Sequence, residues 1–148
     1  MLKLEALLYA AGILHFAVLI ASALVPSVLD WRTELARLGL MTRQLVWVHG
    51  IFIVLVIIGF GALTLINVEG LAAGSVLARS VCGFIALFWT SRLAVQFFVF
   101  DPREHVKHWL LRIGNHGLTV VFAFFSIVYG WAALWPEHSG LRMWSAAP

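Results

Sequence analysis

The feature that most constrains this chain is a series of four long apolar runs, at about residues 4–25, 44–66, 76–100 and 106–135. Each run reaches or exceeds the roughly 20 residues that an α-helix needs to cross the hydrocarbon core of a bilayer. Backbone amides inside lipid must pair within the protein, which leaves helices and closed β-barrels as the solutions. A barrel shows alternating segments of about ten residues, whereas these runs are continuous. The sequence therefore predicts four transmembrane helices.

Composition supports the same interpretation. The 148 residues are 62% hydrophobic and only 11% charged, and the mean hydropathy is +0.97. Soluble domains are about half apolar and about a quarter charged, and a soluble core of this size could not bury so many apolar side chains. We expect an all-α fold, an integral membrane antiparallel four-helix bundle that forms a single domain over residues 1–148, because short connections place successive helices side by side.

The connections carry their own signals. Residues 28–39 predict a short amphipathic helix in the membrane interface between the first two spans, with Ser27 or Asp30 as its N-cap and Gly39 as its C-cap. Its apolar residues share one face: Trp31, Leu35 and Leu38. The connection at residues 67–75 is short and glycine-rich, and the tail at 136–148 is too short to fold alone.

Basic residues predict the orientation of the spans. Six lie on the side of the first and third connections, and three lie on the side of the two termini. The two sets are Arg32, Arg37, Arg43, Arg103, Lys107 and Arg112, and Lys3, Arg79 and Arg142. Because cytoplasmic loops are enriched in Lys and Arg, we expect both termini outside the cytoplasm. The same pattern explains the net charge of +3 without a nucleic-acid partner.

Catalytic signals are weak. Cys82 is the single cysteine, so the chain can form neither an intramolecular disulfide nor a cysteine-based zinc or iron–sulfur site. No Gly-x-Ser-x-Gly motif occurs, and Cys82 has no evident base beside it in the sequence. The chain shows no convincing catalytic constellation, and if it is redox-active we expect it to belong to a larger oxidoreductase complex.

Arg92 and Gln96 are the polar pair whose insertion needs the most explanation. Arg92 lies about 12 Å from the predicted cytoplasmic end of its span, at about 1.5 Å per residue, and an arginine at depth costs about 2.5–3.5 kcal/mol on insertion scales. Gln96 is one turn nearer that end on the same face. In one alternative Arg92 extends to the head groups and Gln96 bonds a neighbouring helix. In the other the two residues face the interior and hold an anion such as a haem propionate.

His49 and His116 predict a haem site. The two histidines lie at matched depth on antiparallel spans, about four to six residues inside the cytoplasmic end, as ligation of haem b iron between two helices requires. The propionates of the haem would reach a basic group such as Arg92. The alternative is that each histidine is an interfacial anchor near a helix end.

Two further histidine patterns remain open. His15 is near mid-membrane, where it could face a quinone head group, a proton pathway or a polar residue on a neighbouring helix. The members of a stripe on the fourth span all fall within about 60° of His105 at about 100° per residue, and the stripe could line a cytoplasmic vestibule or lie in the solvated head groups. Its members are His105, His108, Arg112 and His116.

Three functions are compatible with these residues. The first is a small multi-pass membrane subunit that binds haem b or quinone for electron transfer near the cytoplasmic face. The second is an accessory or scaffold subunit without a cofactor, which packs against other membrane subunits or against copies of itself. The third is a small transporter or lipid-modifying enzyme whose anionic substrate is held by Arg92. In each the lipid bilayer is the solvent.

Overall fold

A computed structural model describes residues 4–28, 30–98 and 109–135. All regular structure in these ranges is helical, which confirms the all-α class. The helices are α1 (Leu4–Val28), α2 (Trp31–Ala36), α3 (Leu40–Ile66), α4 (Val68–Ala73), α5 (Val76–Phe98) and α6 (Trp109–Leu134). Four of them, α1, α3, α5 and α6, are long and apolar enough to cross a membrane by length and composition.

The first connection differs from expectation. The helix predicted at 28–39 is shorter, since α2 covers Trp31–Ala36, and α1 continues through Pro26 to Val28. Pro26 lies in the last turn of α1, where its missing N–H removes a single hydrogen bond and the helix can finish. Gly39 is the N-cap of α3 and not the C-cap of α2, because its carbonyl already accepts the first helical hydrogen bond, from Arg43 N at 3.0 Å.

The second connection is also more regular than expected. The short glycine-rich connection at 67–75 contains α4, which Gly74 ends in the left-handed conformation with φ 73°, a backbone geometry that glycine adopts without a Cβ clash. Farther along the chain, α5 ends at Phe98. Residues 99–108, which include His105 and His108, lie outside the described residues, as does the tail 136–148.

The long helices pack in antiparallel pairs, α1 with α3 and α5 with α6, and α1 also contacts α6. Gly12 faces Leu65 while Gly61 faces His15 and Phe16, so α1 and α3 run in opposite directions. Residues at the start of α5 meet the end of α6, and Gln96 near the end of α5 meets Thr119 near the start of α6. We call the end that holds the start of α1 the lower end, and the end that holds α2 the upper end.

Burial divides the molecule at one level. Buried side chains extend up α1 to Val18 and up α5 to Trp89, and they begin again at Ile57 on α3 and Phe122 on α6. Above that level every described side chain is exposed or half-buried. The lower half is therefore packed, and we call the upper half, between α2 and this level, the open half.

A close approach of α1 and α3 fixes the packed half. A Cβ at Gly61 would lie 2.9 Å from Phe16 Cε2 and 3.1 Å from His15 Cβ. Both distances are shorter than van der Waals contact, so a residue larger than glycine at position 61 would push the Phe16 and His15 side chains of α1 away. Gly59, two residues earlier on α3, has open space at the same position.

We expect Gly61→Ala to lower the free energy of unfolding by about 1–3 kcal/mol, because the added methyl group overpacks the α1–α3 contact. Gly59→Ala is the matched control and should leave stability unchanged or raise it by up to about 1 kcal/mol, since alanine favours helix over glycine. Denaturant unfolding in detergent, followed by circular dichroism, measures both. Equal effects of the two substitutions would contradict the close approach.

Candidate functional site

His15 occupies the centre of the packed half with both ring nitrogens paired. Its side chain is fully buried, Nδ1 lies 2.7 Å from the Ala11 carbonyl oxygen, and Nε2 accepts a hydrogen bond from Trp89 Nε1 at 3.1 Å. An indole N–H can only donate and a carbonyl can only accept, so these contacts place the single ring proton on Nδ1. The imidazole is therefore neutral and both of its nitrogens are used within the protein.

Aromatic rings enclose the imidazole. Phe125 stacks on His15 with ring centroids 4.2 Å apart, and Trp89 and Tyr129 contact its edges at 5.4 and 5.8 Å. Trp89 packs in turn on Phe125 at 4.7 Å. This shell excludes water and lipid from His15, and the geometry of each pair is one that aromatic rings favour.

A second buried hydrogen bond lies beside the first. The Thr64 hydroxyl donates to the Phe60 carbonyl at 2.7 Å and lies 2.7 Å from the Tyr129 hydroxyl. Because the one hydroxyl proton of Thr64 is used, Tyr129 is the donor of the second bond. Thr64 and Tyr129 are both fully buried.

These two bonds cross the molecule. His15–Trp89 joins α1 to α5 and Thr64–Tyr129 joins α3 to α6, and within the described residues neither helix pair is among those that pack closely. We call these four residues the polar centre. No buried side-chain nitrogen or oxygen of the described part of the chain lacks a partner, so the polar centre satisfies itself.

Arg92 and Gln96 continue the buried stripe of α5 into the open half. The buried residues of this helix repeat at helical spacing: Ala78, Cys82, Ile85 and Trp89. At about 100° per residue, Gln96 falls about 10° and Arg92 about 50° from the middle of that stripe. Gln96 Nε2 donates to Thr119 Oγ1 on α6 at 2.7 Å. Arg92 is exposed although its position faces inward.

His49 and His116 are both exposed and both lie in the open half. On α6 the buried residues centre on Phe125, and at about 100° per residue His116 points about 180° away from Phe125. The contacts of the described residues do not bring the two imidazoles together. Haem ligation by this pair stays a prediction, as does the fourth-span stripe, whose other members have no described side chain.

Two shallow grooves lie at the lower end. One, of about 690 Å³, is lined by polar groups that include Glu5, Tyr9, Asn67 and Glu69. The other, of about 290 Å³, lies beside Arg79, whose Nε donates to the Ala133 carbonyl at 2.8 Å. Among the described residues, no group of three or more histidines, cysteines or acids is arranged to hold a metal ion.

Sequence reasoning did not find the partners of His15. Trp89 lies in the middle of α5, whereas membrane tryptophans concentrate near the interfaces. A tryptophan at mid-span needs an acceptor for its indole N–H, and that is the signal that could have paired it with a mid-span histidine. Thr64 and Tyr129 show no such signal, since each lies near the end of a span where head groups could also satisfy it.

We expect Trp89→Phe to lower the free energy of unfolding by about 1–3 kcal/mol, because it leaves buried Nε2 of His15 without a donor. Trp131→Phe is the control, since Trp131 is half exposed on α6, and its effect should stay within about 0.5 kcal/mol. Unfolding in detergent measures both variants. If the two substitutions cost the same, the His15–Trp89 bond does not stabilise the fold.

Comparison of this chain with protein-family models, curated proteins and solved structures gave no match. The function therefore has to be argued from the chain's own residues and geometry.

Proposed function

We propose that this protein is a small multi-pass membrane subunit whose open half binds a hydrophobic ligand. The observation that carries the proposal is the burial boundary, at which all four long helices cease to be buried at one level, although α1 and α3 stay apolar above it. Below that level the chain satisfies its own polar groups. Above it, inward-facing positions of α5 and α6 are left for another molecule to cover.

Membrane insertion is supported by the surface of the long helices. Their most apolar windows have mean hydropathies of 2.1, 2.5, 1.5 and 1.9, and many large apolar side chains point outward, among them Ile20, Ile51 and Val120. Exposed apolar surface on this scale is typical of contact with lipid. With its long helices packed in antiparallel pairs, the chain fits a four-span bundle.

Charge at the two ends supports an orientation. Arg32, Arg37 and Arg43 lie at the upper end, whereas the lower end carries Glu5 and Glu69 together with Arg79. By the positive-inside rule the upper end faces the cytoplasm, and both termini lie on the opposite side.

We expect a cysteine at position 69 (Glu69→Cys) to react with a membrane-impermeant maleimide added to intact cells, because Glu69 is exposed at the lower end. Arg37→Cys, at the upper end, should react only after the cells are permeabilised. The native Cys82 is buried and free and gives little background. Labelling of Arg37→Cys but not of Glu69→Cys in intact cells would reverse the orientation.

The open half combines an aromatic floor with few polar groups, as hydrophobic-ligand sites do. Trp89 and Phe122, whose rings lie 4.9 Å apart, form the floor. Above it lie Arg92 and the Gln96–Thr119 pair. Haem b and a quinone are the proposed ligands: His49 is exposed in this half and available to iron, and glutamine and histidine can hydrogen-bond a quinone carbonyl.

We expect Leu118→Trp to reduce the amount of copurifying hydrophobic ligand at least about tenfold, because the larger side chain takes the place of ligand contacts in the open half. A tenfold loss of affinity corresponds to about 1.4 kcal/mol of binding free energy. Leu118 is half-buried against the core on the inward face of α6. Val120→Trp is the control, because Val120 points outward and is 69% exposed. The ligand is quantified by solvent extraction with mass spectrometry, and haem by the dithionite-reduced visible spectrum.

The possible results separate the alternatives. Reduced haem bands that weaken in Leu118→Trp and in His49→Ala would support a redox subunit, whereas an extracted quinone without those bands would support a quinone-binding subunit. Equal ligand content in Leu118→Trp, Val120→Trp and the unaltered protein would overturn the proposal.

A second candidate, an accessory subunit of a larger membrane complex, is favoured by one observation on α3. From Leu40 to Val56 this helix has no buried residue on any face, although it carries the highest hydropathy of the four spans. A partner helix could pack there as readily as lipid. Stoichiometric copurification of another membrane protein, lost when Ile51 is changed to tryptophan, would favour this candidate.

A further inference from the structure

We infer that Arg92 binds the acidic head group of an amphipathic molecule whose apolar part occupies the open half. The inference rests on the proposed function and narrows it, because an acidic head group fits a haem propionate or an acidic lipid and does not fit a neutral quinone. It depends on the direction, the surroundings and the unmet charge of one side chain.

The direction of Arg92 comes from the stripe on which it lies. Trp89, three residues earlier, is buried and donates to His15 on α1, and Gln96, four residues later, donates to Thr119 on α6. Arg92 stands between two residues that both reach across to other helices. At about 100° per residue it therefore faces the space between the helices and not the outer surface of α5.

Extension of Arg92 to the nearer head groups is disfavoured by helix geometry. Arg92 lies six residues before Phe98, the end of α5, or about 9 Å below it at about 1.5 Å per residue. The Cα–Cβ bonds of a helix tilt toward its N-terminus, and the N-terminus of α5 is at the lower end. The side chain therefore starts away from the nearer interface, toward the floor formed by Trp89 and Phe122.

The charge of Arg92 has no protein counterpart within the described residues. No hydrogen bond or ion pair of its guanidinium is formed with them, and the nearest polar neighbour along the stripe, Gln96, is an amide. A guanidinium keeps its charge at any physiological pH and donates bidentate hydrogen bonds to a carboxylate or a phosphate. Such charge-assisted bonds are stronger away from water.

The apolar part of the ligand is set by α3. From Leu40 to Val56 this helix presents leucine, valine, isoleucine and phenylalanine side chains that are exposed or half-buried. At about 1.5 Å per residue the run is about 25 Å long, comparable to an acyl chain or a prenyl tail. A carboxylate or phosphate joined to such a tail matches both features, whereas a small inorganic anion matches only Arg92.

The test measures binding of paired probes to the full chain, purified in neutral detergent and depleted of lipid. Radiolabelled oleate and dioleoylphosphatidic acid present the two acidic heads, and oleyl alcohol and dioleoylglycerol are their uncharged counterparts. We expect each acid to bind at least about tenfold more tightly than its neutral counterpart, and Arg92→Gln to remove that preference. Oleate binding alone would assign a carboxylate ligand, and phosphatidic acid binding alone would assign a lipid phosphate.

Matched variants separate a site from general attraction to the basic end. Arg43→Gln removes the same charge near the start of α3 and should leave the preference for acids intact, and Arg92→Lys should retain most of it. Arg92→Met keeps the length of the stem without the charge, so it replaces Arg92→Gln if circular dichroism shows that the glutamine variant is misfolded. Equal effects of Arg92→Gln and Arg43→Gln, or equal binding of oleate and oleyl alcohol, would overturn the inference.

The inference and the proposed function fail in different ways. If Leu118→Trp lowers ligand content while Arg92→Gln and Arg92→Met leave it unchanged, the open half is a binding site in which Arg92 has no part. If Leu118→Trp has no effect, the open half is not a site and both proposals fall.

Discussion

The fold depends on satisfying one imidazole in an apolar interior. An unpaired nitrogen of His15 would cost about as much as a lost buried hydrogen bond, about 1–3 kcal/mol, so the helices must deliver a donor to Nε2. Trp89 supplies it from α5, at 3.1 Å, and this bond is possible at only one rotation and height of α5 relative to α1. Phe125 stacks on the same ring and fixes α6. The Thr64–Tyr129 bond then ties α3 to α6, so that all four long helices take their positions from the polar centre.

The same interaction explains why the packed half stops where it does. In lipid, helices gain little from burying apolar surface against one another, and they associate through hydrogen bonds and close approach at small residues. The lower half has both devices, the polar centre and the contacts of Gly12 and Gly61 between α1 and α3, whereas the Gln96–Thr119 bond of the open half joins only α5 and α6. Two glycines of the open half, Gly50 and Gly117, have no neighbour near the position of a Cβ. Among the described residues, neither polar bonds nor interlocking glycines join all four helices in the upper half, and it is packed less closely than the lower half.

The sequence predicts those features of the structure that depend on local interactions. Four apolar helices can be read from hydropathy because no soluble alternative competes, and the common face of Arg92 and Gln96 follows from their spacing. The ends of the short elements were harder, since Gly39 can end one helix or begin the next, and only the chain geometry decides. The partner of His15 lies 74 residues away, and nothing local specifies it. Neither could the inward face of α3 be predicted, because a helix that is apolar all round shows no amphipathic direction.

Hydropathy gives the cost of inserting Arg92 into a bilayer but not the direction of its side chain. That direction decides which groups Arg92 can bind. An outward arginine would be satisfied by phosphates at the membrane surface and would say nothing about function. An inward one continues the stripe on which every other polar residue has found a partner: Trp89 has His15, and Gln96 has Thr119. A neutral donor can be satisfied by an imidazole or a hydroxyl, but a guanidinium at that depth needs an anion. Among the described residues no carboxylate pairs with Arg92; on the inference drawn above, the counter-charge comes with a molecule that enters the open half and is selected by its acidic group.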